Sequence, residues 1–239
     1  MDVMRLMGCF TATGVLLTTA VATPAAAAST VVARYRFDQR LAGARVDGSG
    51  HGHTLRVVAR HGGSARSVRH GAGLALAFPA PCRGSRCPKI VLQAGSTPAL
   101  NPGRRPLRFG AAVLLPRGRT TAGQNIVQKG YWDRGGQYKL QIDGTAGRPS
   151  CGLIDSRRGT VRLVRSSRTV ADGRWHRLEC RRSATRLHII VDGLVRGFTA
   201  VPAGLTIANG HPLSLGGKSA NARNDQFHGV LDDVFVAIG

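Results

Sequence analysis

Four Asp-Gly or Asn-Gly pairs punctuate the second half of this chain: Asp143-Gly144, Asp172-Gly173, Asp192-Gly193 and Asn209-Gly210. Such pairs supply the positive-φ positions of tight reversals. Short β-prone runs separate them: Tyr138 to Ile142, Cys151 to Ile154, Val161 to Val164, Trp175 to Cys180, Leu187 to Val191, Leu213 to Leu215 and Val230 to Ile238. Upstream, Val31 to Phe37, Leu74 to Phe78, Lys89 to Leu92, Leu107 to Leu115 and Asn125 to Lys129 read the same way. Beyond the N-terminal segment no window of about 11 residues carries a 3.6-residue apolar period. Regularly spaced strands with such turns predict an all-β sandwich or barrel. The 239 residues fit a single domain.

Residues 1–28 read as a cleaved signal peptide. Arg5 precedes an almost uncharged stretch from Leu6 to Val21, and Ala25-Ala26-Ala27-Ala28 offers small residues for cleavage. The stretch is short for a membrane span of roughly 20 residues, and no later segment is a better candidate. A secreted, extracellular domain over residues 29–239 is expected. Export then governs the cysteines. Cys9 leaves with the signal, and Cys82, Cys87, Cys151 and Cys180 remain. Four cysteines allow three connectivities. Cys82 and Cys87 flank a short polar turn, while Cys151 and Cys180 lie in strand-like runs, so bridges 82–87 and 151–180 are expected. Zinc is the competing use, but Cys-x4-Cys without a second close pair is a poor template.

The charge is lopsided. Lys+Arg number 34 against 12 Asp+Glu, a formal net charge of +22. Such a surface attracts polyanions. The arginines are scattered in doublets such as Arg104-Arg105 and Arg157-Arg158, with no basic tail or helix-turn-helix pattern, so specific nucleic-acid recognition is not expected. Glu179 is the sole glutamate, which excludes any mechanism needing two. With Leu178 and Cys180 facing inward, Glu179 is expected outside, paired with flanking arginines.

Several stretches together resemble the laminin G-like branch of the concanavalin A-like lectin/glucanase superfamily. Tyr35-Arg36-Phe37-Asp38 and Asp47-Gly48-Ser49-Gly50-His51-Gly52-His53 look like its opening strand and turn. Asp172-Gly173-Arg174-Trp175-His176, with Ile190-Val191-Asp192-Gly193, is similar to its central hairpin. Leu213-Ser214-Leu215-Gly216-Gly217 and Phe227-His228-Gly229-Val230-Leu231-Asp232-Asp233-Val234 resemble its closing segments. The resemblance implies a jelly-roll sandwich of two antiparallel sheets, one of them concave. It also implies a structural calcium held by Asp232 with Asp38 or the Asp47 turn, although six or more oxygens would be needed.

That superfamily contains enzymes and binders, so the fold does not decide function. Its glucanases use paired carboxylates about 5–5.5 Å apart, which a chain with one glutamate and no strand-borne Asp substitute does not offer. A polysaccharide lyase acting on uronates is the enzymatic alternative, with Tyr138-Lys139 and Gln226-Phe227-His228 as candidate motifs. A structural or protein-interaction role in the cell envelope is the third reading. The preferred expectation is a non-catalytic module for extracellular glycan or another polyanion. Its ligand residues are expected in the glycine-flanked loop carrying Lys129, Tyr131, Trp132 and Arg134, where an aromatic face stacks on sugar and cations meet anionic groups. Trp175 is read as core, and His51-x-His53 as a solvent-exposed turn.

Overall fold

The structure, a computed structural model, describes residues 29–38, 46–133, 135–221 and 223–239. The segment read as a signal peptide and Arg134 lie outside the described residues. The first strands are β1 (Thr30–Tyr35), β2 (Arg56–Arg60), β3 (Arg66–His70), β4 (Gly73–Ala77), β5 (Lys89–Ala94), β6 (Leu107–Leu114), β7 (Gly123–Lys129) and β8 (Gln137–Asp143). They are followed by β9 (Arg148–Ile154), β10 (Val161–Arg165), β11 (Trp175–Arg182), β12 (Arg186–Val191), β13 (Leu194–Ala200), β14 (Leu213–Leu215) and β15 (Val230–Ile238). A 3-10 turn at Pro98–Leu100 is the one helical element among the described residues.

The strands form two antiparallel sheets. The eight-stranded sheet runs β13-β12-β11-β6-β15-β4-β3, with β1 pairing the later part of β15. The seven-stranded sheet runs β10-β9-β8-β7-β14-β5-β2. Alternation along each strand sends one set of side chains between the sheets. Phe109, Val113, Leu178, Ile189, Val191, Leu231 and Val236 meet Leu92, Val127, Leu140, Ile142, Leu153, Leu213 and Leu215 in one apolar core. The two-sheet sandwich implied by the resemblance is therefore the observed architecture.

Two disulfides add covalent ties. Cys151 of β9 is bonded to Cys180 of β11, which joins the two sheets through the core, and Cys82 is bonded to Cys87 within a connection. The central hairpin has its own polar clasp. Asp192 (φ 54°) and Gly193 (φ 79°) form the two-residue reversal between β12 and β13, the backbone hand that suits twisted strands. Asp192 accepts the Arg177 amide, and the buried His176 ring lies 2.8 Å from Asp192 and 3.0 Å from Asp172. The residues that carry the family resemblance are thus those that lock β11 to β12.

Strand direction corrects two expectations. On β11 the inward residues are His176, Leu178, Cys180 and Arg182, so Trp175 shares the outward face with Arg177 and Glu179. It is half-buried there, its ring stacked on His70 at 3.8 Å, and is not core. His53 is buried, with its ring nitrogens 2.8 Å from the Val32 carbonyl and 2.7 Å from the Thr97 hydroxyl; only His51 is exposed. Asp47 organises that turn by accepting the amides of Arg34, Ser49 and His53.

Glu179 lies outside, as an anion shared by two arginines. Arg108 meets both carboxylate oxygens at 2.9 and 3.1 Å, and Arg181 meets one at 2.9 Å. Burial favours a raised pKa, but these hydrogen bonds outweigh it and hold Glu179 below the usual carboxylate range.

Replacing both Cys151 and Cys180 by Ala is expected to lower stability by about 3–4 kcal/mol, from the entropy of a loop spanning 29 residues. The same change at Cys82 and Cys87, which close only 5, is expected to cost about 2 kcal/mol. Urea titration of the two double variants checks the ordering; equal midpoints would contradict it.

Candidate functional site

Register places a polar line of side chains across the outside of the seven-stranded sheet. Arg56 of β2 pairs with Gln93 of β5, Gln93 with Ser214 of β14, Ser214 with Gln128 of β7, and Gln128 with Lys139 of β8. Alternation explains the composition, because Leu92, Val127, Leu140 and Leu215 take the inward positions beside them. Gln93 donates to the Ser214 hydroxyl at 2.9 Å, so part of this line is internally bonded.

At one end of the line the β7–β8 loop and the loop between β14 and β15 enclose a cavity of about 690 Å³. Gln128, Gln137 and Lys139 line its sheet side, Tyr131, Trp132 and Asp133 one wall, and Lys218, Arg223 and Asp225 the other. Trp132 is 76% exposed, a large apolar ring held in solvent at the mouth. Lys218 is paired with Asp225 at 2.9 Å in that wall. Burial pushes the Lys139 pKa down and Lys218 adds to this, while Asp225 and Asp143 oppose it.

The loop that presents Trp132 is tied at its base. Gly130 (φ 87°) and Gly136 (φ 72°) adopt left-handed conformations, and a Cβ on Gly130 would strike the Gly136 carbonyl. The Gly130 carbonyl accepts hydrogen bonds from the side-chain amides of Gln128 (2.7 Å) and Gln137 (3.0 Å). Asn209 donates to the Gly136 carbonyl at 3.1 Å. Tyr131 packs edge-on against His211 and donates its hydroxyl to the Lys218 carbonyl at 3.1 Å. These contacts fix the aromatic pair relative to the sheet, which reduces the ordering cost of binding.

Lys129 does not belong to this surface. It pairs with Tyr138 and Leu213, both core residues, and so points between the sheets, where it is 0% exposed. Its three N–H donors are shared among four oxygens at 2.9–3.0 Å: the Ser96 hydroxyl, the carbonyl and side-chain oxygens of Asn209, and the His211 carbonyl. The expectation of a ligand contact fails because Lys129 holds the loops behind the site. The expected ligand residues did not include Gln128, Gln137, Lys139, Lys218, Arg223 and Asp225, of which Lys139 figured only in the lyase motif. The first three were findable from parity along β7 and β8, whereas the last three reach the cavity only through tertiary folding.

The two aspartates expected to hold calcium have partners within the chain. Asp232 lies 2.5 Å from the His70 ring and accepts the Asp233 amide at 2.7 Å, while Asp38 accepts the Leu74 amide at 3.1 Å. No three His, Cys, Asp or Glu side chains cluster to hold a metal among the described residues. The lyase motifs also separate. Tyr138 is in the core with its hydroxyl toward the Leu100 carbonyl, and His228 is buried with its ring 2.7 Å from the Pro79 carbonyl. Burial lowers the His228 pKa. Gln226 is also buried and organises its own segment, accepting from the Ile90 amide and donating to the Gly216 carbonyl.

Residues 112–237 match a family of the concanavalin A-like lectin/glucanases superfamily, and the chain belongs to it. Solved structures share the fold at low identity. The binding domain of Paraclostridial Mosquitocidal Protein 1 superposes with a TM-score of 0.64 and 11% identity, over 87% of this chain and 48% of that one. Domain 4 of AbnA, an extracellular GH43 arabinanase of Geobacillus stearothermophilus in complex with arabinotriose, gives 0.63 and 15%, over 88% and 93%. The binding domain of Botulinum Neurotoxin DC in complex with SialylT gives 0.61 and 9%, over 87% and 47%. The chain spans about half of each toxin binding domain and nearly all of the arabinanase domain. No curated protein sequence matches it. No helix among the described residues is long and apolar enough to cross a membrane.

Lys129→Met removes an ammonium that ties Ser96, Asn209 and His211 together and is expected to lower unfolding free energy by about 3 kcal/mol or more, read by urea titration. Burial pushes the Lys129 pKa down to about 8, below the ordinary 10.5. Between those values the unfolded chain binds more protons, so this contribution to stability rises with pH and is lost as pH falls through 8. The stability gap between parent and Lys129→Met is expected to widen from pH 8 to 10; a constant gap would contradict a lowered pKa.

Proposed function

We propose that this protein is an exported, non-catalytic glycan-binding module whose ligand sits in the cavity between Trp132 and the polar line of the seven-stranded sheet. The observation that carries the reading is Trp132 itself. A tryptophan ring 76% exposed on a loop whose base is fixed by five side chains is a preformed stacking platform. Sugar rings present an apolar face to such an indole and hydroxyl groups to the amides of Gln128 and Gln137 and the ammonium of Lys139. Lys218 and Arg223 extend tolerance to an acidic substituent.

The comparisons support binding, since the similar domains include an arabinanase domain with arabinotriose and a neurotoxin binding domain with SialylT. Export is supported by two disulfides, which persist in oxidising compartments. A non-catalytic role is supported by the state of the candidate acid–base groups. Glu179 is clamped by arginines, Tyr138 is enclosed in the core, and His228 is buried against a backbone carbonyl.

Trp132→Ala is expected to weaken binding of the best oligosaccharide from a glycan array by about tenfold or more, with an unchanged thermal midpoint because the ring is exposed. Calorimetric titration measures the first quantity and calorimetric scanning the second. Chromatography of the bound oligosaccharide after long incubation is expected to recover it intact; shorter or unsaturated products would overturn the non-catalytic reading.

A further inference from the structure

A second recess, which shares no lining residue with the Trp132 cavity, forms where three chain segments meet: the residues before β6, the β9–β10 turn, and the loop before β14. Asp155 cements them. Its carboxylate accepts the amides of Arg157 (2.7 Å), Arg158 (3.0 Å) and Thr206 (3.2 Å), and the Ser156 amide donates to the Thr206 carbonyl. Gly103 pairs with Ile207 to bring the first segment alongside. The recess has a volume of about 150 Å³, and Arg104, Arg157, Arg158 and Thr160 contribute to its lining.

Its charge is unbalanced. The side chains of Arg104, Arg157 and Arg158 make no hydrogen bond or salt bridge among the described residues. Behind the wall, Arg182 is 1% exposed and donates only to the backbone carbonyls of Gly103, Arg104 and Leu205, with its Nε left without a partner. Three arginines thus line the recess with Arg182 behind it, and the one carboxylate in the lining, Asp155, already serves three amides. Burial favours a raised Asp155 pKa, but those amides outweigh it and keep the carboxylate ionised.

We propose that this recess binds a tetrahedral oxyanion, the sulfate or phosphate group of an extracellular polymer. The recess has room for a group of that size. Guanidinium groups match its oxygens in fork geometry, and the Thr160 hydroxyl adds a donor. The backbone that carries the arginines is already fixed by Asp155, so only side chains need to order. The site shares no lining residue with the proposed glycan cavity and gives the basic surface a place where an anion is recognised, not merely attracted.

The test uses inorganic sulfate and inorganic phosphate, titrated at constant ionic strength against the whole mature chain while arginine side-chain NMR signals are followed. Saturable shifts at Arg104, Arg157 and Arg158, with affinity at least about tenfold weaker in Arg157→Gln/Arg158→Gln, are expected. These side chains are exposed and unpaired, so an unchanged thermal midpoint checks that the variant folds. Linear, parallel shifts of arginines over the whole surface, or equal affinity in the variant, would overturn the proposal. A sulfated polysaccharide and a polyol-phosphate polymer then distinguish the sources: the one whose affinity falls in the variant is the ligand, and a fall with neither overturns the assignment. Trp132→Ala is expected to leave both inorganic ions bound, so loss of the glycan site and loss of this one are separable.

Discussion

Two sheet faces packed against each other set the direction of every side chain that matters in this protein. A strand residue points either into the shared core or out to solvent, and the choice alternates strictly except at bulges. Gln128 and Lys129 show the consequence. They are neighbours in the chain, yet one lines the cavity beside Trp132 and the other is enclosed at the sandwich end with four oxygens around its ammonium. Trp175 and His176 divide the same way on the opposite sheet, the indole outside against His70 and the imidazole inside the hairpin clasp.

The charges follow from the same constraint. A net charge of +22 suggests a uniformly basic surface, but the cations have separate duties. Lys129 and Arg182 are buried without an ion-pair partner and bind backbone carbonyls, acting as internal ties between loops. Arg108 and Arg181 neutralise the lone glutamate on the outer face of the eight-stranded sheet. Arg104, Arg157 and Arg158 have neither role, and what distinguishes them is that they line one recess. Burial of a charge requires enough hydrogen-bonding oxygens, and these loops supply them from the main chain.

Much of the architecture was legible because local chemistry and tertiary packing agree there. Strands inside each sheet, such as β8 and β11, alternate buried and more exposed residues because one face is buried, and β6 and β15 are continuous apolar-rich runs. Strands β2, β3 and β13 escaped the sequence reading for the complementary reason. Each is at a sheet edge, and their residues (Arg56 to Arg60, Arg66 to His70, Leu194 to Ala200) are largely exposed on both faces, so no alternation is imposed. Charged edges of this kind also discourage pairing with other chains. Of the expected ligand residues, Tyr131 and Trp132 line the cavity, Lys129 does not, and Arg134 lies outside the described residues.

By itself the order of residues determined that the chain reverses direction at Asp-Gly pairs, forms strands rather than helices, and lacks the glutamate pair of a glucanase. These are local properties, set by backbone conformations available to a few residues and by the identity of single side chains. Only the tertiary structure decided that Lys139, Lys218 and Asp225 share a cavity with Trp132, and that Arg104 meets Arg157 and Arg158 at a recess backed by Arg182. Those residues are brought together by strand register and by loops crossing between the sheets, interactions whose energy depends on the whole core being assembled and leaves no periodic mark on the segments involved.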